Sequence, residues 1–232
     1  MLPKISTPTA EILVPSLNKK LKFRPFLYKE EKILLMAGES DDEKDIILAC
    51  KEIIEACCKE EIDVGRLAVF DLEYVFLKLR AISVNNICKV SFTDMEDEKD
   101  YDFDINLNQI ELVTDENHTD VIEIGEGVKI KMKYPTVDIT DTIAEAKSEA
   151  DLIDKMVKVS IDKIYDGETV YEDYTDEELQ DFLDNLPSAA SKKIKDFFET
   201  MPKLLHIIKY TNSKGTERTI TLRSLKDFFI WA

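Results

Sequence analysis

The chain has 232 residues, of which 44% are hydrophobic and 34% are charged, and its formal net charge is −17. These totals are typical of a globular protein with one large domain or two small ones, and they exclude a disordered chain. No apolar run approaches the roughly 20 residues that span a membrane, and the N-terminal residues lack the basic-then-apolar pattern of a secretory signal. We therefore expect a protein that stays in the cytosol of the cell that makes it.

Acidic residues outnumber basic residues 48 to 31. Binding to the phosphates of nucleic acid needs clustered Lys and Arg, so this charge argues against nucleic acid as a partner. It fits a protein that is highly soluble and that binds a basic protein partner.

Metal sites and cofactors find little support in the sequence. The four cysteines form no C-x-x-C pair and the two histidines lie far from them, so a zinc site lacks ligands at a workable spacing. Asp102 and Asp104 lack the glycine and glutamate of an EF-hand loop, which argues against calcium. We expect reduced, buried thiols and no metal or cofactor.

The first 26 residues are predicted to be extended, as an N-terminal arm. Two short β-like runs, Glu11–Val14 and Lys20–Phe23, flank polar turn residues, which is a hairpin pattern. Such an arm packs either on its own domain or on a neighbour. Three helices are predicted next, at residues 28–38, 42–59 and 65–82. The third is apolar on most sides and is predicted to be the buried central helix.

Apolar and polar residues then alternate in three runs, Cys88–Phe92, Tyr101–Leu107 and Val128–Met132. A period of two predicts half-buried antiparallel strands. Two of these runs carry lysine on their polar face and the third carries aspartate, so neighbouring strands would gain cross-strand charge pairs. The first predicted domain is therefore an α+β domain of residues 1–135, with its strands at 87–133.

A polar, acidic stretch at residues 138–141 predicts a hinge into a second region, 136–232. Helices are predicted from the capping-box patterns at Thr142 and Thr175 and from Ser188; they end near Asp166, Pro187 and Pro202. A terminal hairpin at residues 204–222 and a short last helix follow. The predicted fold class is α+β: N-terminal helices packed on an antiparallel sheet, followed by a mainly helical C-terminal region with a terminal β-hairpin and short helix.

Three groups of residues are candidate interface residues. The first lies where the arm meets the first helix and comprises Arg24, Phe26, Lys29, Glu30, Glu31 and Lys32. The second lies at the end of the central helix and comprises Arg80 and Ser83. The third is an apolar tail that must dock on its own domain or on a partner; it comprises Phe228, Phe229 and Trp231. For each group the alternative is a role in holding the fold. No catalytic residue and no metal ligand is predicted.

Several stretches of sequence resemble a known family. They are the opening LPKI-x-TPT, then RPF-x-x-KEEK-x-LL, FDLEY-x-F-x-x-LRA-x-S, MKYP, and the closing MPKL and L-x-D-FF. The chain resembles the baseplate proteins of T4-like, contractile-tailed bacteriophages, and within them the baseplate hub subunit or hub assembly protein. The resemblance spans nearly the whole chain and is strongest at residues 24–35 and 70–83.

The resemblance implies a non-catalytic protein that helps to build the baseplate hub through contacts with other phage tail and hub proteins, including the tape-measure protein. It would act in the host cytoplasm during assembly and could remain in the virion tail baseplate. One alternative is a dedicated chaperone, for example for the tape-measure protein, that is absent from the mature virion. A further alternative is a hub-associated cell-wall hydrolase, which would need two carboxylates across a cleft, one with a raised pKa.

Overall fold

The structure is a computed structural model that describes residues 7–40, 42–125, 127–139 and 146–228. Within these residues the protein is α+β, with seven α-helices and twelve strands. Contacts between residues divide the chain into two compact units: residues 1–113 with 203–232 form unit 1, and residues 114–202 form unit 2. The sequence-based domain boundary at residue 135, which falls within the range of unit 2, stays a prediction.

Unit 1 begins with an antiparallel hairpin of β1 (Ala10–Val14) and β2 (Lys19–Phe23). Alternation along the two strands places one apolar row in the core: Ile12, Val14, Leu21 and Phe23. Three helices follow, α1 (Tyr28–Ser40), α2 (Glu43–Cys57) and α3 (Val69–Ser83).

Helix α3 is buried on most sides, as its sequence predicts. Five of its side chains have no exposed surface: Leu72, Val75, Phe76, Leu77 and Leu79. Asp71 of α3 accepts hydrogen bonds from the Ser16 amide, at 2.9 Å, and from the Ser16 hydroxyl. These bonds tie the β1–β2 turn to the central helix. A second hairpin, β3 (Ile87–Asp94) with β4 (Lys99–Asn106), and the short strand β5 (Leu112–Val113) follow.

Unit 2 contains one antiparallel sheet, which runs in the order β6 (Val121–Glu123), β7 (Val128–Met132), β8 (Ile161–Asp166) and β9 (Thr169–Tyr171). Helix α4 (Glu149–Ser160) precedes β8, and helices α5 (Asp176–Asp184) and α6 (Ser188–Thr200) follow β9. The core of unit 2 is built from the sheet and from α5 and α6, with Ile130 and Ile164 packed in one cluster with Leu179, Ile194 and Phe197.

The chain then returns to unit 1. Strand β10 (Lys203–Leu204) pairs with β5, which lies about ninety residues earlier in the sequence. The last hairpin consists of β11 (His206–Thr211) and β12 (Glu217–Leu222), as predicted from its turn residues. Helix α7 (Leu225–Phe228) is the last element described. The β5–β10 pair thus joins two segments of unit 1 that are separated in the sequence by the whole of unit 2.

The predicted arrangement of the fold is wrong in two respects. Although the protein is α+β, its sheets begin at the N-terminus with β1 and β2, so the N-terminal part does not start with helices. The C-terminal half is rich in strands and is not mainly helical. Strands β8, β9 and β10 account for this difference, since the hairpin of β11 and β12 is predicted from the sequence.

One predicted helix is responsible for part of this error. The sequence pattern predicts that this helix continues to Asp166, but α4 ends at Ser160 and residues 161–166 form β8. The register of β8 with β7 shifts between Lys131 and Met132, and this bulge lets Ile161 and Ile164 both face the core although they are three residues apart. A spacing of three is also a helical spacing, so the sequence pattern was ambiguous.

The capping predictions have different outcomes. Thr175 caps α5 and forms the predicted capping box with Glu178, in which each side chain bonds to the other residue's backbone. The predicted box at Thr142 lies outside the described residues; α4 is capped by Ser148, whose hydroxyl accepts from the Asp151 amide at 3.2 Å.

Candidate interaction surface

An ion pair lies at the junction between β2 and α1. Arg24 donates from Nη2 to Oε1 of Glu30 at 2.8 Å, and only 11% of the Arg24 side chain and 1% of the Glu30 side chain are exposed. Nη2 of Arg24 also donates to the carbonyl of Ala56 in α2, at 2.9 Å. Pro25 keeps the chain extended between the two charged residues. The pair therefore fixes the angle at which α1 leaves the hairpin.

The protonation of Glu30 reflects this environment. Burial acts to raise its pKa, but hydrogen bonds from Arg24, the Leu27 amide and Lys29 outweigh burial and lower the pKa to about 2. The hydrogen bond from the Leu27 amide to Oε2 of Glu30 is 2.8 Å long, and it places the carboxylate over the first turn of α1. There the helix dipole also favours negative charge.

Phe26 and Ser83 connect the same junction to the central helix. The Phe26 amide donates to the Ser83 hydroxyl at 3.0 Å, and that hydroxyl donates to the Leu79 carbonyl at 2.6 Å. The Phe26 side chain is buried. The structure thus brings together Arg24, Phe26 and Glu30 of the first predicted group with Ser83 of the second, and their contacts hold α1 against α2 and α3.

The other residues of the first group lie on the solvent side of α1. Lys29, Glu31 and Lys32 are exposed. So are three large side chains that the sequence-based list omits: Tyr28 is 72% exposed, Leu35 56% and Met36 71%. Nζ of Lys32 lies 5.3 Å from the centre of the Tyr28 ring. Tyr28, Lys32, Leu35 and Met36 are spaced by three and four residues and share one side of the helix; we call them the α1 face.

A signal for the α1 face was present in the sequence. Ile33, Leu34, Leu35 and Met36 are four consecutive apolar residues, and successive residues of a helix turn by about 100°. Such a run covers every side of the helix, so part of it must point away from the core. Leu34 and Ala37 are the buried residues of this turn.

The second and third predicted groups meet around Cys88. The Cys88 thiol donates to the Phe228 carbonyl at 2.8 Å, and Phe228 has no exposed surface. Burial raises the pKa of the Cys88 thiol, while the nearby Arg80 guanidinium acts in the opposite direction. Phe228 thus docks on its own unit, one of the two placements considered for the tail. Phe229 and Trp231 lie outside the described residues.

Unit 2 has a cavity of about 620 Å³ whose walls include Glu123, Lys193 and Asp196. A hydrogen bond from Lys129 lowers the pKa of Glu123, whereas the acid of a glycosidase needs a raised pKa. His118 lies in the sequence between Asn117 and Thr119, which both line this cavity. Its two ring nitrogens are 2.9 Å from the Thr200 hydroxyl and 3.0 Å from the Tyr134 hydroxyl. Burial lowers the pKa of His118, so both contacts support a neutral ring that braces α6.

Neither a metal site nor a membrane span is found among the described residues. No group of three or more His, Cys, Asp or Glu side chains in these ranges is placed to hold a metal ion. None of the helices that the structure describes combines the length and hydropathy needed to cross a bilayer.

Fold and surface together define an α+β protein with a helix face that exposes Tyr28, Leu35 and Met36; Tyr and Met are enriched at protein–protein interfaces. The family model of the T4 bacteriophage base plate protein matches residues 7–230. The chain belongs to this family of phage baseplate proteins. Membership implies interaction with other baseplate proteins and indicates a place in the virion tail. No curated protein and no solved structure matches the chain.

Proposed function

We propose that the protein is a non-catalytic subunit that takes part in assembly of the baseplate hub by docking on other tail proteins through the α1 face. The observation that carries this proposal is the exposure of Tyr28, Leu35 and Met36 on one side of a helix. Large apolar side chains that share an exposed face indicate a binding surface, and Met adapts its shape to a partner. Buried contacts of Arg24 and Glu30 hold this helix rigidly from behind.

The partners in this proposal are other baseplate hub proteins and the tape-measure protein. Assembly would take place in the host cytoplasm before the subunit enters the tail. Family membership supports the general role, and the hub itself and its particular partners are part of the proposal.

The test is co-expression with the hub and tape-measure proteins of the same phage, followed by affinity capture. A triple variant, Tyr28→Ala, Leu35→Ala and Met36→Ala, is expected to lose at least about tenfold in capture, because hot-spot side chains each contribute about 1–2 kcal/mol or more. The matched control replaces Leu17, Val84 and Ile207, which are also about half exposed in unit 1, with alanine. Equal capture by both variants would contradict the α1 face as the docking surface.

Mass spectrometry of purified virions tests the fate of the protein. A stoichiometric amount in the tail is the expected result for a hub subunit. Its absence from the particle, together with capture of tape-measure protein from infected cells, would instead assign it a chaperone role.

A further inference from the structure

Strand β9 is the edge of the unit 2 sheet, because among the described residues only β8 pairs with it. All three of its residues are exposed, and Val170 and Tyr171 are 45% and 48% exposed. An antiparallel strand directs alternate N–H and C=O groups to its two sides. An edge strand therefore presents unpaired backbone groups that can pair with another chain.

A groove of about 360 Å³ opens beside this edge and is lined by residues of the sheet and of α5. Ile164, Leu179 and Phe182 give it an apolar floor, and Tyr171 and Tyr174 contribute aromatic rings. Ile164 and Tyr171 are partners across the β8–β9 pair. Since paired residues point to the same side of a sheet, a residue of an added strand opposite Tyr171 would direct its side chain towards this groove. We call β9 and this lining the β9 groove.

The surroundings of the β9 groove are strongly acidic. Asp166, Asp173 and Glu178 are among its lining residues. Residues 162–184 contain ten Asp and Glu residues but a single basic residue, Lys163. This charge opposes pairing with a second copy of the chain, whose own edge would be equally acidic, and attracts a basic segment.

We propose that the β9 groove binds an extended, basic segment of a partner protein, which adds to the unit 2 sheet as a fifth strand. Main-chain hydrogen bonds to β9 hold the segment, an apolar side chain enters the groove against Tyr171 and Phe182, and Lys or Arg side chains pair with the surrounding acids. This is strand addition, in which the backbone supplies affinity and alternate side chains supply specificity. The inference does not rest on the α1 face, which lies in unit 1.

The test uses the purified full chain and fluorescein-labelled peptides of eight residues, in low salt, with binding followed by anisotropy. The basic peptide (Lys-Val)₄ is expected to bind at least about tenfold more tightly than (Glu-Val)₄, because like charges at an interface cost more than the 1.4 kcal/mol of a tenfold change. A version of (Lys-Val)₄ with alternate backbone nitrogens methylated keeps its charge but cannot complete a ladder, and it is expected to lose most of this binding. Equal binding of the methylated peptide, or no preference for the basic one, would overturn the proposal.

Two variants locate the binding. Asp166→Asn with Asp173→Asn is expected to weaken (Lys-Val)₄ binding at least about threefold, since each exposed ion pair contributes up to about 1 kcal/mol. The matched control, Asp102→Asn with Asp104→Asn, removes the same charge from exposed positions of β4 in unit 1 and is expected to change binding less. Equal weakening by the two variants would mean that net charge, and not the groove, attracts the peptide, which would overturn the proposal.

Hydrogen–deuterium exchange gives a readout that does not depend on charge. Added (Lys-Val)₄ is expected to slow exchange within residues 168–172, because a new strand pairs with the amides that point away from β8. Unchanged exchange there would overturn strand addition. Self-association of the chain in the absence of peptide, measured by light scattering, would also overturn the proposal if it slowed exchange of the amides of residues 168–172, because a second copy would then be the occupant.

Discussion

Among the residues that the structure describes, three carboxylates are buried in unit 1, those of Glu30, Asp71 and Asp94, whereas no Asp or Glu is buried in unit 2. Each buried carboxylate of unit 1 has its own partners, which include Arg24 for Glu30 and Ser16 for Asp71. In unit 2 the described ion pairs are at least partly exposed, such as Lys158 with Asp154 one helical turn away, at 3.0 Å.

The difference shows that one acidic composition can serve two purposes. A buried charge must be paired, because its desolvation is otherwise uncompensated, and it thereby fixes the position of the elements that supply the pair. An exposed charge adds little stability, but a field of exposed charges of one sign selects what can approach. In unit 1 the buried Glu30 carboxylate positions the α1 face, whereas exposed carboxylates of unit 2 line and flank the β9 groove.

The largest expected effect comes from breaking the buried pair of unit 1. Arg24→Ala leaves the Glu30 carboxylate buried without its guanidinium, and we expect the free energy of unfolding to fall by about 3–5 kcal/mol. Urea denaturation measures the change. The control is Arg66→Ala, whose pair with Asp63 is 3.3 Å long and exposed on both sides, and it is expected to cost less than about 1 kcal/mol. Similar losses at the two positions would remove the contrast between buried and exposed pairs.

The second effect is the pH dependence that Glu30 gives to unit 1. Its pKa is lowered from 4.5 to about 2 in the folded state, so its stabilising contribution is complete above about pH 4.5 and is lost as the pH falls towards 2. This difference in pKa between the unfolded and folded states corresponds to about 3 kcal/mol of unfolding free energy. The measurement is the difference in unfolding free energy between wild type and Glu30→Gln, which should shrink from pH 6 to pH 2.5. A difference that is constant over this range would show that the carboxylate is not held in its charged form.

A smaller effect is expected at the turn that Asp71 holds. Ser16→Ala removes the hydroxyl donor to Asp71 and leaves only the Ser16 amide, so we expect a loss of about 1–3 kcal/mol in unfolding free energy. Ser191, exposed on α6 of unit 2, provides the comparison, since its replacement by alanine should change stability by less than about 0.5 kcal/mol. Thermal denaturation of both variants measures the two stability losses. A Ser16→Ala protein as stable as wild type would count against a stabilising role for the hydrogen bonds between Ser16 and Asp71.

The smallest effect belongs to an exposed pair of unit 2. Nζ of Lys163 is 2.6 Å from Glu172, but 35% and 55% of the two side chains are exposed. Lys163→Ala should lower stability by less than about 1 kcal/mol in low salt and by still less in 1 M salt, because salt screens exposed charges. A loss that is large and unaffected by salt would show that unit 2 also depends on a paired charge.

Local signals in the sequence predict several elements well. Polar turn residues between two alternating runs predict the hairpins β1–β2 and β11–β12, since turn chemistry acts within a few residues. Thr175 and Glu178 likewise predict the start of α5, because a capping box needs only one helical turn. The sequence motifs in residues 24–35 and 70–83 indicate the family, and the match of the family model over residues 7–230 confirms it.

The candidate surface could be predicted only in part. The sequence pattern indicates the junction at residues 24–32, but it does not separate the paired Arg24 and Glu30, whose side chains are 11% and 1% exposed, from Lys29, Glu31 and Lys32, which are exposed. Which side of a short helix is buried depends on what packs against it. Tyr28, Leu35 and Met36 were therefore missed although their exposure makes them the main part of the surface.

By itself, then, the sequence determined the family, the turns of the hairpins β1–β2 and β11–β12, the capping box of α5 and the burial of α3. The turns and the capping box depend on residues close together in the chain. Tertiary structure decided that residues 161–166 form a strand. Ile161 and Ile164 have a spacing that also fits a helix, but a bulge in the pairing with β7 lets both face the core from a strand. Tertiary structure also decided that residues 203–228 belong to unit 1, since the β5–β10 pair joins segments about ninety residues apart. Pairing over such a distance is set by the shape and hydrogen bonds of the folded core, which no local pattern contains.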